Sequence, residues 1–309
     1  MEFELSVGAG ADFIVNYVLD NFTPALDAIA ATIGIVTDGF KGLLESVPPV
    51  LGITILTLIS LWRVGWKFSL FTVLSLALIV QMDLWLATMQ TLALVLSATI
   101  IAVALGIPTG IAMARSERIA GLFRPVLDLM QTMPSFVYLI PAAMFFGLGA
   151  VPGTIATVIF AMPPVVRLTN LGIRQVHSEF VEAGLAFGCT PSQLLFKVQL
   201  PNALPSIMTG VNQTIMLSLS MVVIASMIGA GGLGNHVLTG IQRLNVGVGF
   251  EGGLAVVILA VLLDRITQSF GKENSGFLSF LSMRRAGRGL QPALQDNAPA
   301  DDKGRTAAA

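Results

Sequence analysis

The stretch Ala87–Ala114, ATMQTLALVLSATIIAVALGIPTGIAMA, contains no charged residue. A helix that crosses a membrane needs about 20 mostly apolar residues, and this run exceeds that length. It is too continuous for a half-buried strand and lacks the alternation of a barrel strand. Working outward, comparable runs recur at about 47–62, 66–82, 133–149, 151–169, 206–230 and 250–269. The reading is an all-α integral membrane protein with about seven transmembrane helices. The fourth and fifth runs flank Leu148-Gly149-Ala150-Val151-Pro152-Gly153, a tight turn that predicts a helical hairpin. Trp62, Trp66 and Trp85 border the first two runs as interfacial anchors or as packing residues.

The composition agrees. Of 309 residues 54% are hydrophobic and 11% charged, and the mean hydropathy is +0.82. Soluble domains carry about 25% charged residues, so a disordered chain is excluded and a soluble enzyme is improbable. With 17 Lys+Arg against 18 Asp+Glu there is no basic excess for nucleic acid. The single cysteine, Cys189, excludes a disulfide framework and a cysteine-based metal site. His177 and His236 are far apart and form no HExxH pair. The 13 methionines form no recurring cluster and read as packing or lipid-facing residues.

Basic residues set the direction. An outside N-terminus puts 63–66, 115–132, 170–205 and 270–309 in the cytoplasm. Of the 17 Lys and Arg residues, only Lys41 and Arg243 fall away from those segments and their edges. Acids (Glu2, Glu4, Asp12, Asp20, Asp27, Asp38 and Glu45) gather instead in the outer N-terminal region. Four regions result: 1–46, acidic and amphipathic; 47–82, two accessory spans; 87–269, the core with the connection 170–205; and 270–309, a cytoplasmic, largely disordered tail. The first residues lack the basic start of a cleavable signal. Ile14, Val18, Phe22, Leu26, Ile29 and Ile33 share one helical face, predicting a helix on the outer membrane surface or against the bundle, with a plain soluble helical extension as an equal alternative.

The longest internal connection reads NLGIRQVHSEFVEAGLAFGCTPSQLLFKVQLPNALP, Asn170–Pro205. Ser178 is a candidate N-cap, with Glu179 and Glu182 in or near the first turn. Gly188 suits the left-handed end of a helix. Thr190-Pro191-Ser192-Gln193 is a capping box with proline at the first helical position. Leu194, Leu195 and Val198 give the second helix an apolar face, and Pro201 and Pro205 are expected to stop it. Two short helices joined by a glycine make a compact cytoplasmic knob suited to a partner's groove. An interfacial connector without a partner is the plainer alternative. A DNA-binding helix pair is disfavoured by the missing basic face.

This segment resembles the permease subunits of binding-protein-dependent ABC importers. Their pattern runs Glu-Ala-Ala, three residues, Gly, nine residues, Ile, one residue, Leu-Pro. Here it stands as Glu182-Ala183-Gly184, Gly188, Val198 and Leu200-Pro201, with Gly184 for the second alanine and Val198 for isoleucine. The stretches 127–153, 194–214 and 221–234 are similar to the glycine betaine/proline betaine (ProU-type) permeases, and related choline permeases share much of this. The resemblance implies a type I, MetI-like permease core in the last five spans. It implies that Glu182, Ala183, Gly184, Gly188, Leu200 and Pro201 form a coupling element docked on a separate ATPase subunit. It further implies a homodimer, an extracytoplasmic substrate-binding protein and a bacterial inner membrane. Choline, carnitine or, less so, an amino acid are alternative solutes. The chain has no GxxxxGK[ST] phosphate loop, so ATP is expected on the partner, with no cofactor here.

Polar residues within spans point to a solute path. Tyr138, Asn212, Gln213 and Ser218 are the candidates, beside Gln131, Thr132, Ser135, Thr214 and Ser220. Interhelical hydrogen bonding is the commoner role for such amides and hydroxyls. Tyr138 offers a face to a quaternary ammonium, but aromatic residues are only 7% of the chain, which argues for selectivity in the binding protein. Asp128 is expected to pair with Arg124 at i+4, and Arg265 beside Asp264 to snorkel at the inner end of the last span. His177 reads as a surface residue. No paired acids, Ser/Lys pair or histidine ligands lie within the spans, which argues against an intramembrane enzyme. A channel has no use for an ATPase dock.

Overall fold

The computed structural model describes residues 7–271; the expected tail lies almost wholly outside the described residues. The elements are α1 (Val7–Glu45), α2 (Pro49–Arg63), α3 (Trp66–Gln81), α4 (Trp85–Arg115), α5 (Glu117–Thr132), α6 (Ser135–Phe146), α7 (Ala150–Arg174), α8 (Ser178–Ala186) and α9 (Pro191–Leu194). A π-helical turn, Leu195–Gln199, then leads into α10 (Leu200–Ser220), α11 (Val222–Ser226), α12 (Leu233–Gln242) and α13 (Val246–Gly271). The all-helical reading holds, with no strand among the described residues.

Among those residues, α4, α7 and α13 are each long and apolar enough to cross a membrane; two bent pairs, α1–α2 and α5–α6, raise the number to up to 5. The other expected spans are shorter or broken. Ser135–Phe146, within the expected run 133–149, has 12 residues, roughly 18 Å against a hydrocarbon core of about 30 Å. It meets the amphipathic α5 at 102°. The expected run 206–230 is interrupted at Met221, between α10 and α11. α2 and α3 have 15 and 16 residues and form a hairpin through Gly65.

α4, α7 and α10 pack most closely and form the centre of the core. The approach is tight: a Cβ at Gly110 would lie 2.7 Å from the Val166 carbonyl oxygen, and one at Gly210 would lie 3.0 Å from the Val165 Cα. Such small-residue contacts replace the hydrophobic drive that is weak between helices in lipid. α1 lies against α4, α6 and α7. Its buried and half-buried positions among the described side chains include Leu26, Ala30, Ile33, Gly34, Thr37, Lys41 and Leu44, at helical spacing, beside Val15, Val18, Leu19, Val36, Phe40 and Glu45. Phe22 and Ile29, expected on that face, are exposed. The contacts of α4 and α7 choose a face rotated from the one that apolarity alone marks. Trp85 is a packing residue: its Nε1 donates to the Val47 carbonyl at 3.1 Å. Trp62 and Trp66 stay exposed, as interfacial anchors do.

Candidate functional site

The knob forms largely from local signals. α8 ends on Gly188 with φ of +78°. The Cys189 N–H donates to the Gly184 carbonyl at 3.0 Å, and the Gly188 N–H to the Leu185 carbonyl at 2.9 Å. Those two bonds are a Schellman termination. α9 starts on the expected capping box: the Gln193 N–H donates to Thr190 Oγ1 at 3.3 Å, and the Thr190 N–H to Gln193 Oε1 at 2.9 Å. Two expectations fail. The N-cap of α8 is His177 and Ser178 makes no capping bond; one residue of slippage is ordinary at a frayed helix end. Pro201 and Pro205 do not end the second helix. The chain passes through the π-turn 195–199 directly into α10. Pro201 lacks the N–H that would reach back to residue 197, and the wider turn absorbs the missing bond.

Glu182, Ala183, Gly188 and Pro201 are exposed, Leu200 is half-buried and Gly184 is buried. A Cβ on Gly184 would meet Leu194 Cδ1 at 2.8 Å, so the small residue lets the two short helices close on each other. Large apolar side chains remain open on this knob: Phe180, Leu185, Phe196 and, at 89% exposure, Phe187. That is an unpartnered apolar surface carrying two carboxylates, Glu179 and Glu182.

Next to the knob, Arg174 at the end of α7 donates to Asn170 Oδ1 at 2.8 Å and to the Met113 carbonyl at 2.7 Å, and it pairs with Glu117. This ties the ends of α4 and α7 to the start of α5. Asp128 pairs with Arg167 of α7 rather than with Arg124, which reaches Glu117 at 3.5 Å. The i+4 partner loses because the neighbouring helix brings a second arginine within reach.

The candidate path residues are not brought together as one lining. Tyr138 is 6% exposed, its hydroxyl donates to the Met130 carbonyl, and its ring meets Phe160 edge-on with centroids 6.2 Å apart. Ser218 and Thr214 are buried and bond back to their own helix at 2.9 and 3.0 Å. Gln213, Gln131, Thr132 and Ser220 are exposed and Ser135 is half-buried. Asn212 reaches across to Asp264 Oδ1 at 2.9 Å. Asp264 therefore faces a partner helix, which its place beside a snorkelling arginine had concealed.

On the opposite end, a cleft of about 620 Å³ opens between α1, the α6–α7 turn and the turn 229–231. Asp38, Lys41 and Gln90 line it. Gln90 donates to Glu45 at 2.8 Å and accepts from the Gly232 N–H at 3.2 Å, while the Leu233 N–H donates to Thr91 at 2.8 Å. His236 lies in α12. The glycines before it are closely packed: a Cβ at Gly234 would fall 2.3 Å from the Val222 carbonyl oxygen.

Residues 106–273 match the model of the family described as binding-protein-dependent transport system inner membrane component. The glycine betaine/carnitine transport permease protein GbuB of Listeria monocytogenes is 52% identical over 82% of this chain and 92% of its own length. The glycine betaine/proline betaine transport system permease protein ProW of Escherichia coli is 48% identical over 84% of this chain and 73% of its own. Among solved structures, an inward-facing MetNI methionine ABC transporter chain superposes with a TM-score of 0.54 at 21% identity, covering 60% of this chain and 94% of that one. That likeness concerns the fold.

Proposed function

The chain belongs to the family of binding-protein-dependent transport system inner membrane components, and from that premise we propose that it is the permease of a glycine betaine importer. It is a membrane component of an ABC importer. The solute reading rests on the two relatives above, whose names share glycine betaine and diverge on carnitine and proline betaine. Both align over more than four fifths of this chain.

The observation that carries the mechanism is the knob. It is short, its central turn is held by a Schellman motif ending α8 and a capping box starting α9, and it is apolar at its surface. A rigid unit with a carboxylate at Glu182 and open Phe187 and Phe196 suits the groove of an ATPase subunit. Two permease copies, two ATPases and an extracytoplasmic binding protein make the working assembly. ATP is bound and hydrolysed on the partner, and this chain carries no cofactor. With the N-terminus outside and the C-terminus cytoplasmic, the knob faces the ATPase and the cleft at Asp38, Lys41 and Gln90 faces the binding protein. Closure of the ATPase pair moves the knob. The unbroken run from the π-turn into α10 carries that movement into the core, and the paired spans alternate between inward and outward access.

Gly188→Trp tests the docking. A Cβ at Gly188 would have no neighbour within 4 Å, so the side chain starts in open space where a partner would dock, and the positive φ costs about 1–2 kcal/mol. The permease is expected to reach the membrane in normal amount and to lose ATP-driven betaine uptake. Normal uptake by that variant overturns the docking. Uptake of choline but not betaine by the wild-type assembly overturns the solute.

A further inference from the structure

We propose that Asp264 is a positioning residue for transport, holding the last long helix, α13, to α10, the helix that leaves the coupling knob. The inference rests on the reading of the knob as the ATPase-facing element.

Asn212 Nδ2 donates to Asp264 Oδ1 at 2.9 Å, and Gln268 Nε2, one turn on, donates to the same oxygen at 2.7 Å. The other side-chain bonds made by α10 residues all fold back onto their own segment. Apart from the Asn202 bond back to Val198 in the π-turn that α10 continues, the Asn212 amide makes the one side-chain hydrogen bond from α10 to another element among the described residues. The rest of the α10–α13 contact is apolar, built on Val211, Ile215, Leu219, Leu259 and Leu263.

The depth of the carboxylate makes this tie specific. Arg63 donates to the Ser269 carbonyl at 2.8 Å, and its guanidinium stacks 4.3 Å from the Phe270 ring centre. That arginine, next to the exposed Trp62, marks the inner interface. Asp264 lies one and a half turns deeper, roughly 7 Å at the helical rise. No Lys or Arg pairs with it among the described residues. Ionisable side chains at such depth carry a cost and are kept where they act. Apolar contacts alone let two helices slide. The Asn212 amide on a carboxylate that Gln268 of α13 itself holds in place fixes their relative height and rotation. Arg63 then fastens the same end of α13 to α2, so movement of α10 is passed to α13, and through it to the accessory hairpin.

The test uses the whole assembly of permease, ATPase and binding protein in vesicles, reading glycine betaine imported per ATP hydrolysed. Asp264→Ala and Asn212→Leu are expected to lower that ratio at least about fivefold, the lower end of ordinary coupling energies, while ATP hydrolysis persists. Asp264→Asn keeps an acceptor oxygen and restores most of the ratio, as does the exchange Asn212→Asp with Asp264→Asn. A wild-type ratio in both Asp264→Ala and Asn212→Leu overturns the proposal. So does a parallel fall of hydrolysis and uptake that Asp264→Asn does not rescue, because that is misfolding. A second measurement stands apart from the solute: spin labels on α10 and α13 in vanadate-trapped complexes. The helices are expected to move together in wild type and Asp264→Asn, and apart in Asp264→Ala; unchanged joint movement in Asp264→Ala also overturns the tie. A wild-type assembly that hydrolyses ATP without importing betaine overturns the proposed solute, and the labels still decide the tie.

Discussion

Two glycine-rich turns stand at opposite ends of the molecule and use the residue for opposite purposes. At the knob, Gly188 takes a positive φ with no atom within 4 Å of a would-be Cβ. There glycine shapes the backbone and leaves the surface open. At the other end, a Cβ on Gly232 would lie 2.5 Å from Thr91 Oγ1, and one on Gly234 would lie 2.3 Å from a backbone oxygen. There glycine is required because α4 and α11 leave no volume, a demand that at Gly232 comes on top of a positive φ of +71°. An open turn leaves room for another molecule. A filled one holds its own chain together, and the bonds from Gln90 and Thr91 across to Gly232 and Leu233 reinforce it.

Substitution separates the two. Gly234→Val, which forces a rigid carbonyl aside, is expected to cost about 3 kcal/mol or more. It should remove most assembled protein, read as the yield of detergent-solubilised permease; normal yield would mean that the outer turn is not tightly packed. Thr190→Ala breaks the capping box and is expected to cost about 1 kcal/mol. Amide exchange at Gln193 should then quicken roughly fivefold, with the rest of the chain unchanged. The smallest effect is expected at Gly184→Ala, which places the alanine of the family pattern. The new methyl meets only the mobile end of Leu194 at 2.8 Å. The gain in helix propensity, up to about 1 kcal/mol, offsets the repacking. Thermal stability should stay within a degree or two of wild type, and a large loss would show that the knob has no slack.

Some of the knob was legible because its signals are local. Thr190 and Gln193 are three residues apart, and a capping box needs nothing further. Gly188 marks the helix end through its own backbone freedom. The failures lie where a partner is distant in the chain. Asp128 looked towards Arg124 and found Arg167. Tyr138 looked available to a cation, but α5 and α7 cover it. Pro201 read as a stop because a five-residue π-turn has no one-residue signature. Nothing near Asp264 in sequence names Asn212, which lies on another helix.

Sequence by itself determined the all-helical membrane class, the family and the position of the knob. Hydrophobic run length, proline and glycine punctuation and capping act over a few residues and are written in order along the chain. Tertiary structure alone decided which face of α1 meets the bundle, which arginine each acid takes, how closely the turn 229–234 is packed, and that α10 and α13 are joined by the Asn212–Asp264 hydrogen bond. Those outcomes depend on how helices approach one another, and packing distance and angle are properties of the assembled helices, not of any one of them.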